Sequence, residues 1–93
     1  MNTDAQTFEA AADKIAALYE RPFGGKPKGR YRIAAKQVRQ LLGRRRLYED
    51  DVRHLTRATL ERGFILVDMD SFFVVMNANS FVNYRRANED SLK

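Results

Sequence analysis

The sequence predicts one small α+β domain with three helices, a short strand and a closing β-hairpin. Three observations predict this class. Apolar residues recur at helical spacing in three stretches, glycines and prolines separate these stretches, and two apolar runs flank the turn-like segment 68–71. A chain of 93 residues has room for a single domain, residues 1–93, and not for two.

The first helix is expected at residues 4–20. Thr3–Gln6 has the spacing of a capping box, and one face carries apolar residues at helical spacing. These residues are Phe8, Ala12, Ile15 and Tyr19. Two prolines and three glycines between positions 22 and 29 then predict a loop. No Gly-Lys-Ser/Thr follows its glycines, so we interpret it as a basic connector and not as a P-loop.

A short strand is predicted at 30–33, a second helix at 34–42 and a third helix at 48–62. Gly43 and Gly63 stand where each helix should end. The three acids at 49–51 suit a helix N-terminus, because the helix dipole favours negative charge there. The apolar faces of these two helices are expected in the core: Val38, Leu41 and Leu42, then Val52, Leu55, Thr59 and Leu60.

The hairpin is predicted from strands at 64–67 and 72–76. Both runs are apolar without interruption, whereas a half-exposed strand alternates apolar and polar residues. We therefore expect both faces of the hairpin to be covered, either by the C-terminal segment around Phe81 and Tyr84 or by a second copy of the chain. Residues 4–76 would form the core, and 77–93 a partly disordered extension with one short helix.

Charge is strongly segregated along the chain. Residues 21–46 hold ten of the 17 basic residues and no acid, while the other 67 residues carry all twelve acids. An ordinary solvated surface mixes both signs, so this basic block indicates a polyanionic partner.

Composition argues against several other classes. Cysteine is absent, which excludes a disulfide framework and zinc sites of the finger type. No signal peptide and no apolar run of membrane-spanning length is evident, so we expect a cytoplasmic chain without membrane contact. The single histidine, His54, follows Asp50 by four residues and is interpreted as an exposed helical pair. We therefore expect no catalytic residues, cofactor or metal.

The element order over residues 4–76 resembles the winged helix-turn-helix superfamily of DNA-binding domains. The resemblance implies that the third helix enters the major groove and that the hairpin turn, the wing, touches the adjacent backbone. It also implies double-stranded DNA as the partner and a role as a small transcriptional or replication-associated regulator. The acids of the wing, Asp68 and Asp70, and those at 49–51 oppose phosphate at both places.

Nine basic residues are candidates for nucleic-acid contact. They are Lys28, Arg30, Lys36, Arg39, Arg44, Arg45, Arg46, Arg53 and Arg57. The strongest phosphate contacts are expected from Lys36, Arg39 and 44–46, because guanidinium forks suit phosphate. Arg53 and Arg57 are the candidates for reading bases, although Glu49 and Glu61 lie at ion-pairing distance along the helix. Tyr31 could stack on a base, but packing is favoured.

Two other functions remain open. The acidic wing and the acidic helix start also suit a protein-interaction module that docks an acidic partner or inhibits a nucleic-acid machine. RNA or single-strand binding is a third hypothesis, although Phe72 and Phe73 stand in an apolar run that favours the core over a stacking surface.

One short segment resembles an enzyme family. Val67–Phe73, VDMDSFF, is similar to the segment by which Y-family DNA polymerases hold catalytic magnesium. It covers seven residues, and the 20 residues after Phe73 offer no second acidic motif to complete a two-metal site. We interpret the segment as a hairpin turn rich in Asp and Ser.

Overall fold

The computed structural model describes the backbone of residues 3–93 and the side chains from Ala5 onward. Its elements are α1 (Thr3–Tyr19), β1 (Tyr31–Ala34), α2 (Ala35–Leu42), α3 (Glu49–Glu61), β2 (Phe64–Asp68) and β3 (Phe72–Asn77). The α+β class is confirmed, and each predicted element lies within about a residue of its expected place. The capping box expected at Thr3–Gln6 depends on side chains outside the described ones.

The three strands form one antiparallel sheet in the order β1-β3-β2. Tyr31 pairs with Val75 and Ala34 with Phe72, so β1 begins beside the C-terminal half of β3 and ends beside its start. Side chains alternate between the two faces of a strand. One face therefore presents buried residues such as Val75 and Phe73 to the helices, and the other turns away from them.

The core lies between the helices and the inner face of the sheet. Its largest fully buried side chains are Phe73, Ile15, Leu55, Val38, Val75 and Thr59. The Thr59 hydroxyl donates to the carbonyl oxygen of Leu55 at 2.8 Å, which satisfies the buried oxygen. Leu60, expected in the core, is instead 42% exposed. It lies five residues after Leu55 and is therefore turned about 140° away from it around the helix axis.

The hairpin turn is joined to the start of α2. The Met69 N–H donates to the Phe72 carbonyl oxygen at 2.9 Å, and the Asp70 N–H donates to Oδ1 of Asp68 at 2.8 Å. The carbonyl oxygen of Ser71 then accepts the N–H of Ala35 at 3.0 Å. The interpretation of this segment as a turn is confirmed.

The outer face of the sheet is apolar and half-buried along β2 and β3, whereas β1 contributes Arg32, whose guanidinium carbon lies 5.6 Å from the ring centroid of Phe72. It carries Ile65 and Val67 from β2 and Phe72, Val74 and Met76 from β3. The C-terminal segment contains two short 3-10 helices, Ala78–Phe81 and Asp90–Leu92, in place of the single helix expected. The expected covering residue Tyr84 is 65% exposed, so much of its apolar surface stays in solvent.

Arg62 joins the end of α3 to α1. Its Nε donates to Oδ1 of Asp13 and its Nη2 to Oε1 of Glu9, both at 2.7 Å, while its Nη1 donates to the carbonyl oxygen of Ala58. These contacts fix the two helices against each other. No helix within residues 3–93 combines the length and hydropathy that crossing a membrane requires.

Candidate nucleic-acid interface

The exposed side of α2 presents the first two candidate residues. Lys36 is exposed and Arg39 half-buried, and their spacing of three places them on one side of the helix. Ala35, Val38 and Leu42 are buried on the other side. Within the described part of the chain, neither cation forms an ion pair. Lys36 and Arg39 therefore lie on the same side of α2.

The turn after α2 begins at Gly43, which has a left-handed backbone with φ of 65°. Its N–H donates to the Gln40 carbonyl oxygen, and the Arg44 N–H donates to the Arg39 carbonyl oxygen at 2.9 Å. This is the hydrogen-bond pattern by which a glycine ends a helix, as predicted. It directs the following arginines away from the axis of α2.

The three arginines of this turn have different surroundings. Nε of Arg44 lies 3.3 Å from Oδ1 of Asp51, and its guanidinium carbon lies 5.2 Å from the ring centroid of Phe8. Only 24% of the Arg44 side chain is exposed. Arg44 therefore connects α1, the turn and α3 from a partly enclosed position.

Arg45 and Arg46, in contrast, are exposed. The guanidinium carbon of Arg46 lies 5.9 Å from the ring centroid of Tyr48, itself 62% exposed. A contact with a ring face orients a guanidinium without neutralising its charge. Both residues therefore present their cations to solvent in the turn between α2 and α3.

The acids at the start of α3 are largely held by contacts within the protein. Oδ2 of Asp51 accepts the N–H of Tyr48 at 3.0 Å, and its Oδ1 faces Arg44. Asp50 pairs with Arg53, three residues later. The partner expected for Arg53 was Glu49. The structure corrects this, because a spacing of three also places two side chains together on a helix.

The exposed face of α3 carries the two candidates for base contact. Arg57 is exposed and, among the described residues, forms no ion pair with the expected partner Glu61. Arg53 shares its guanidinium with Asp50. His54 packs edge-on against Phe8, with ring centroids 5.3 Å apart, and not as the expected partner of Asp50.

An open groove of about 950 Å³ runs between α1 and α3. Its lining includes the rings of Phe8 and His54, Leu60 and Arg57, together with four acids, Glu9, Asp50, Asp51 and Glu61. The groove adds an apolar strip beside the exposed face of α3.

The remaining candidates belong to the loop before β1. Nζ of Lys28 lies 4.0 Å from Oε1 of Glu20, with both side chains more than 60% exposed, and Arg30 is exposed. Tyr31 donates its hydroxyl to the carbonyl oxygen of Ile15 at 2.6 Å. Burial raises the pKa of Tyr31 above its ordinary value of 10.0. The preference for packing of Tyr31 over stacking is confirmed.

The acids of the hairpin turn do not form a metal-binding group with any other described side chain. Asp68 uses Oδ1 to hold the backbone of Asp70. In the part of the chain that the structure describes, no three His, Cys, Asp or Glu side chains lie together as metal ligands.

Some residues that organise this surface gave no signal in the sequence. The contacts of Arg62 with Glu9 and Asp13 span 53 and 49 positions, and no local spacing rule links residues so far apart. The inward position of Arg44 was also missed. Its partner Asp51 lies seven residues later across a turn, where helix periodicity does not apply.

Comparisons with family models, curated proteins and solved structures found no match for this chain.

Proposed function

We propose that this chain is a winged helix-turn-helix domain that binds double-stranded DNA. Through this binding it would act as a small transcriptional or replication-associated regulator. The element order helix, strand, helix, helix, hairpin supports the fold assignment, as does a sheet in which β3 pairs with both β1 and β2. In such domains the third helix approaches the major groove. That role falls to α3.

The observation that carries the proposal is the presentation of cations on α2 and in the turn that follows. Lys36, Arg45 and Arg46 are exposed within eleven residues, and the described chain offers them no acid partner. Guanidinium forks bind phosphate through paired N–H donors. These three residues are the proposed phosphate contacts, with Arg39 beside them.

The geometry at the start of α3 reduces the repulsion expected between its three acids and DNA phosphate. Asp51 faces Arg44 and caps the helix, and Asp50 faces Arg53. Two of the three acids are thereby partly neutralised within the protein. Arg57 then remains as the cation on the exposed face of α3 best placed to reach a base edge, where a bidentate contact to guanine would carry specificity.

A binding experiment with a matched control tests the proposal. The wild-type chain is titrated against duplex DNA, single-stranded DNA and RNA at two salt concentrations, beside an Arg45→Ala/Arg46→Ala variant. The control is Arg85→Ala/Arg86→Ala, which removes the same charge from two exposed arginines of the C-terminal segment. We expect the first variant to weaken duplex binding and to lower the salt slope by about two units, since each phosphate contact contributes about 0.9. The control should keep most of the affinity.

Equal losses in both variants would mean that net charge alone drives binding. Absence of duplex binding at about 150 mM salt would favour the alternative, a module that docks an acidic protein partner. In that case the exposed cations Lys36, Arg45 and Arg46 are the surface to test, because the groove between α1 and α3 is itself lined by four acids.

A further inference from the structure

The loop between α1 and β1 presents an exposed aromatic ring among cations. Phe23 is 45% exposed. Arg21, Lys26 and Arg30 are exposed around it in the chain, and the described residues offer none of them an ion-pair partner. The nearest acid in sequence, Glu20, faces Lys28. The loop therefore combines one exposed aromatic ring with positive charge.

The turn that carries this ring is narrow and has a defined backbone. Phe23 and Lys26 exchange backbone hydrogen bonds at 3.0 and 3.1 Å around Gly24 and Gly25. Both glycines have positive φ, of 60° and 81°, the combination that a two-residue type I′ turn requires. A chain held in this way loses little conformational entropy when a ligand binds.

One side of the ring is supported by the protein. The rings of Phe23 and Tyr31 meet edge to face with centroids 5.4 Å apart, and Tyr31 is held by its hydrogen bond to Ile15. Phe23 is thus oriented by a residue that is itself fixed to the core. The rest of its surface is open.

The loop also lies away from the acids of the hairpin turn. β1 enters the sheet opposite Val75, whereas the hairpin turn precedes Phe72. Three residues of strand separate these positions by about 10 Å. This exceeds the Debye length of about 8 Å at physiological salt, so repulsion between Asp68 or Asp70 and an anion at the loop is largely screened.

We propose that the Phe23 turn is a contact site for single-stranded nucleic acid, in which the Phe23 ring stacks on an unpaired base and Arg21, Lys26 and Arg30 hold the flanking phosphates. Aromatic rings beside cations are the usual means of binding single strands, because every base has an open face for stacking. In a duplex the faces are occupied, and opening a step costs a few kcal/mol. The site is independent of the proposed duplex contacts on α2 and α3.

An anionic membrane surface suits the loop less well. Segments that bind at a bilayer interface bury several large apolar side chains, often including Trp. From position 20 to position 30 the sequence has Phe23 as its single large apolar residue. The experiment therefore compares single-stranded nucleic acid with an anionic membrane as the ligand of the loop.

The experiment uses the absence of tryptophan from the chain. Phe23→Trp introduces a single tryptophan at the site, and Tyr84→Trp introduces one at an exposed position of the C-terminal segment beside two arginines. Each variant is titrated with an oligothymidylate of about twelve nucleotides, within the range of known site sizes. We expect strong quenching at position 23 and little at position 84, because stacking on a base quenches an indole.

A second series separates stacking from hydrophobic contact. Phe23→Leu should weaken oligothymidylate binding about five- to tenfold, corresponding to the lower part of the stacking range, whereas Phe23→Trp should retain it. Thermal unfolding of the Leu variant should match wild type. Duplex binding should change less than about twofold in both variants, while Arg45→Ala/Arg46→Ala should have the opposite pattern.

Equal quenching at positions 23 and 84, or unchanged affinity in Phe23→Leu, would overturn the proposal. A fluorescence signal from Phe23→Trp that responds to phosphatidylserine vesicles and not to oligothymidylate would overturn it in favour of a membrane. Failure of duplex binding, with the quenching of Phe23→Trp by oligothymidylate intact, would leave this site standing and remove the proposed duplex function.

Discussion

Nε of Arg62, directly after α3, lies 2.7 Å from Oδ1 of Asp13 in the second half of α1. Glu9, one helical turn earlier, receives a second hydrogen bond from the same guanidinium. The hydrogen bond to Asp13 and then that to Glu9 raise the pKa of Arg62, so it stays charged throughout the accessible range. Arg62 therefore adds a polar link between α1 and α3 to the packing of the two helices in the core.

Replacement of Arg62 by Ala should lower the free energy of unfolding by about 1–2 kcal/mol. A hydrogen bond to a charged group contributes more than this when buried, but here the carboxylates are 52% and 71% exposed and solvent weakens the contact. Urea unfolding followed by circular dichroism measures the change. Arg57→Ala, which removes an exposed arginine without an ion pair among the described residues, is the control and should shift the midpoint little.

Arg44 and Arg45 should differ in what their loss changes, although they are neighbours in the basic block. Arg44→Ala removes the contacts with Asp51 and Phe8 and should cost about 1 kcal/mol of stability, with little change in the salt slope of binding. Arg45→Ala should leave stability unchanged and lower the slope by about 0.9. Urea unfolding and salt titrations of DNA binding on both variants measure these differences. An equal decrease of the salt slope in Arg44→Ala and Arg45→Ala would contradict the prediction.

Arg57→Ala tests whether α3 reads sequence. If its guanidinium reaches a guanine edge, affinity for the preferred site should fall by about 1–3 kcal/mol, with little loss on random DNA. Arg53→Ala should have a smaller effect because Arg53 already faces Asp50. Competition binding with a selected site and random duplex gives the comparison. An unchanged site preference in Arg57→Ala would mean that α3 does not read bases.

The apolar outer face of the sheet predicts either cover by the C-terminal segment or a homodimer. Five half-buried apolar side chains on one face are unusual for a surface that meets solvent alone. Deletion of residues 78–93 should therefore lower stability, or sedimentation should show a dimer. A chain that sediments as a monomer and keeps its full stability after the deletion would contradict both.

Tyr31 should make stability depend on pH in the alkaline range. Its pKa is raised in the folded state, so Tyr31 loses its proton at a lower pH in the unfolded chain than in the folded one. The contribution of Tyr31 to the free energy of unfolding is therefore complete below pH 10 and decreases as the pH rises above 10. The loss per pH unit should stay below the limit of about 1.4 kcal/mol for one proton, because Tyr31 is only partly buried and solvent weakens the effect. Tyr31→Phe removes this contribution. Its unfolding free energy should be lower at neutral pH and decline less steeply above pH 10 than that of wild type.

Local rules were sufficient to predict the three α-helices and three strands of this fold. Glycine at positions 43 and 63 follows the ends of α2 and α3, and the apolar spacing of α1 matches its buried face. Each of these features is set by residues within about one helical turn. Such rules do not predict the pairing of β1 with β3, because it depends on contacts between residues about forty positions apart.

The site was less predictable than the fold. Lys36, Arg45 and Arg46 are exposed, as the sequence predicted for these charged residues. Arg44 was also predicted to be exposed, but its side chain is partly enclosed. Its placement depends on where α1 brings Phe8 in the folded chain. Leu60 was expected in the core because it is hydrophobic. Its angle around α3 instead leaves it partly exposed.

The hydrogen bond from Ala35 to Ser71 has a consequence for the order of folding. α2 has eight residues, and its N-cap, Ala34, supplies no side-chain acceptor. A helix this short is unstable alone in water. The closed hairpin supplies the missing acceptor through the Ser71 carbonyl oxygen, so α2 should form after or together with the hairpin. Lys36 and Arg39 consequently share one side of a helix only once β3 is in place. Hydrogen exchange should show α2 and the hairpin opening together in a single event.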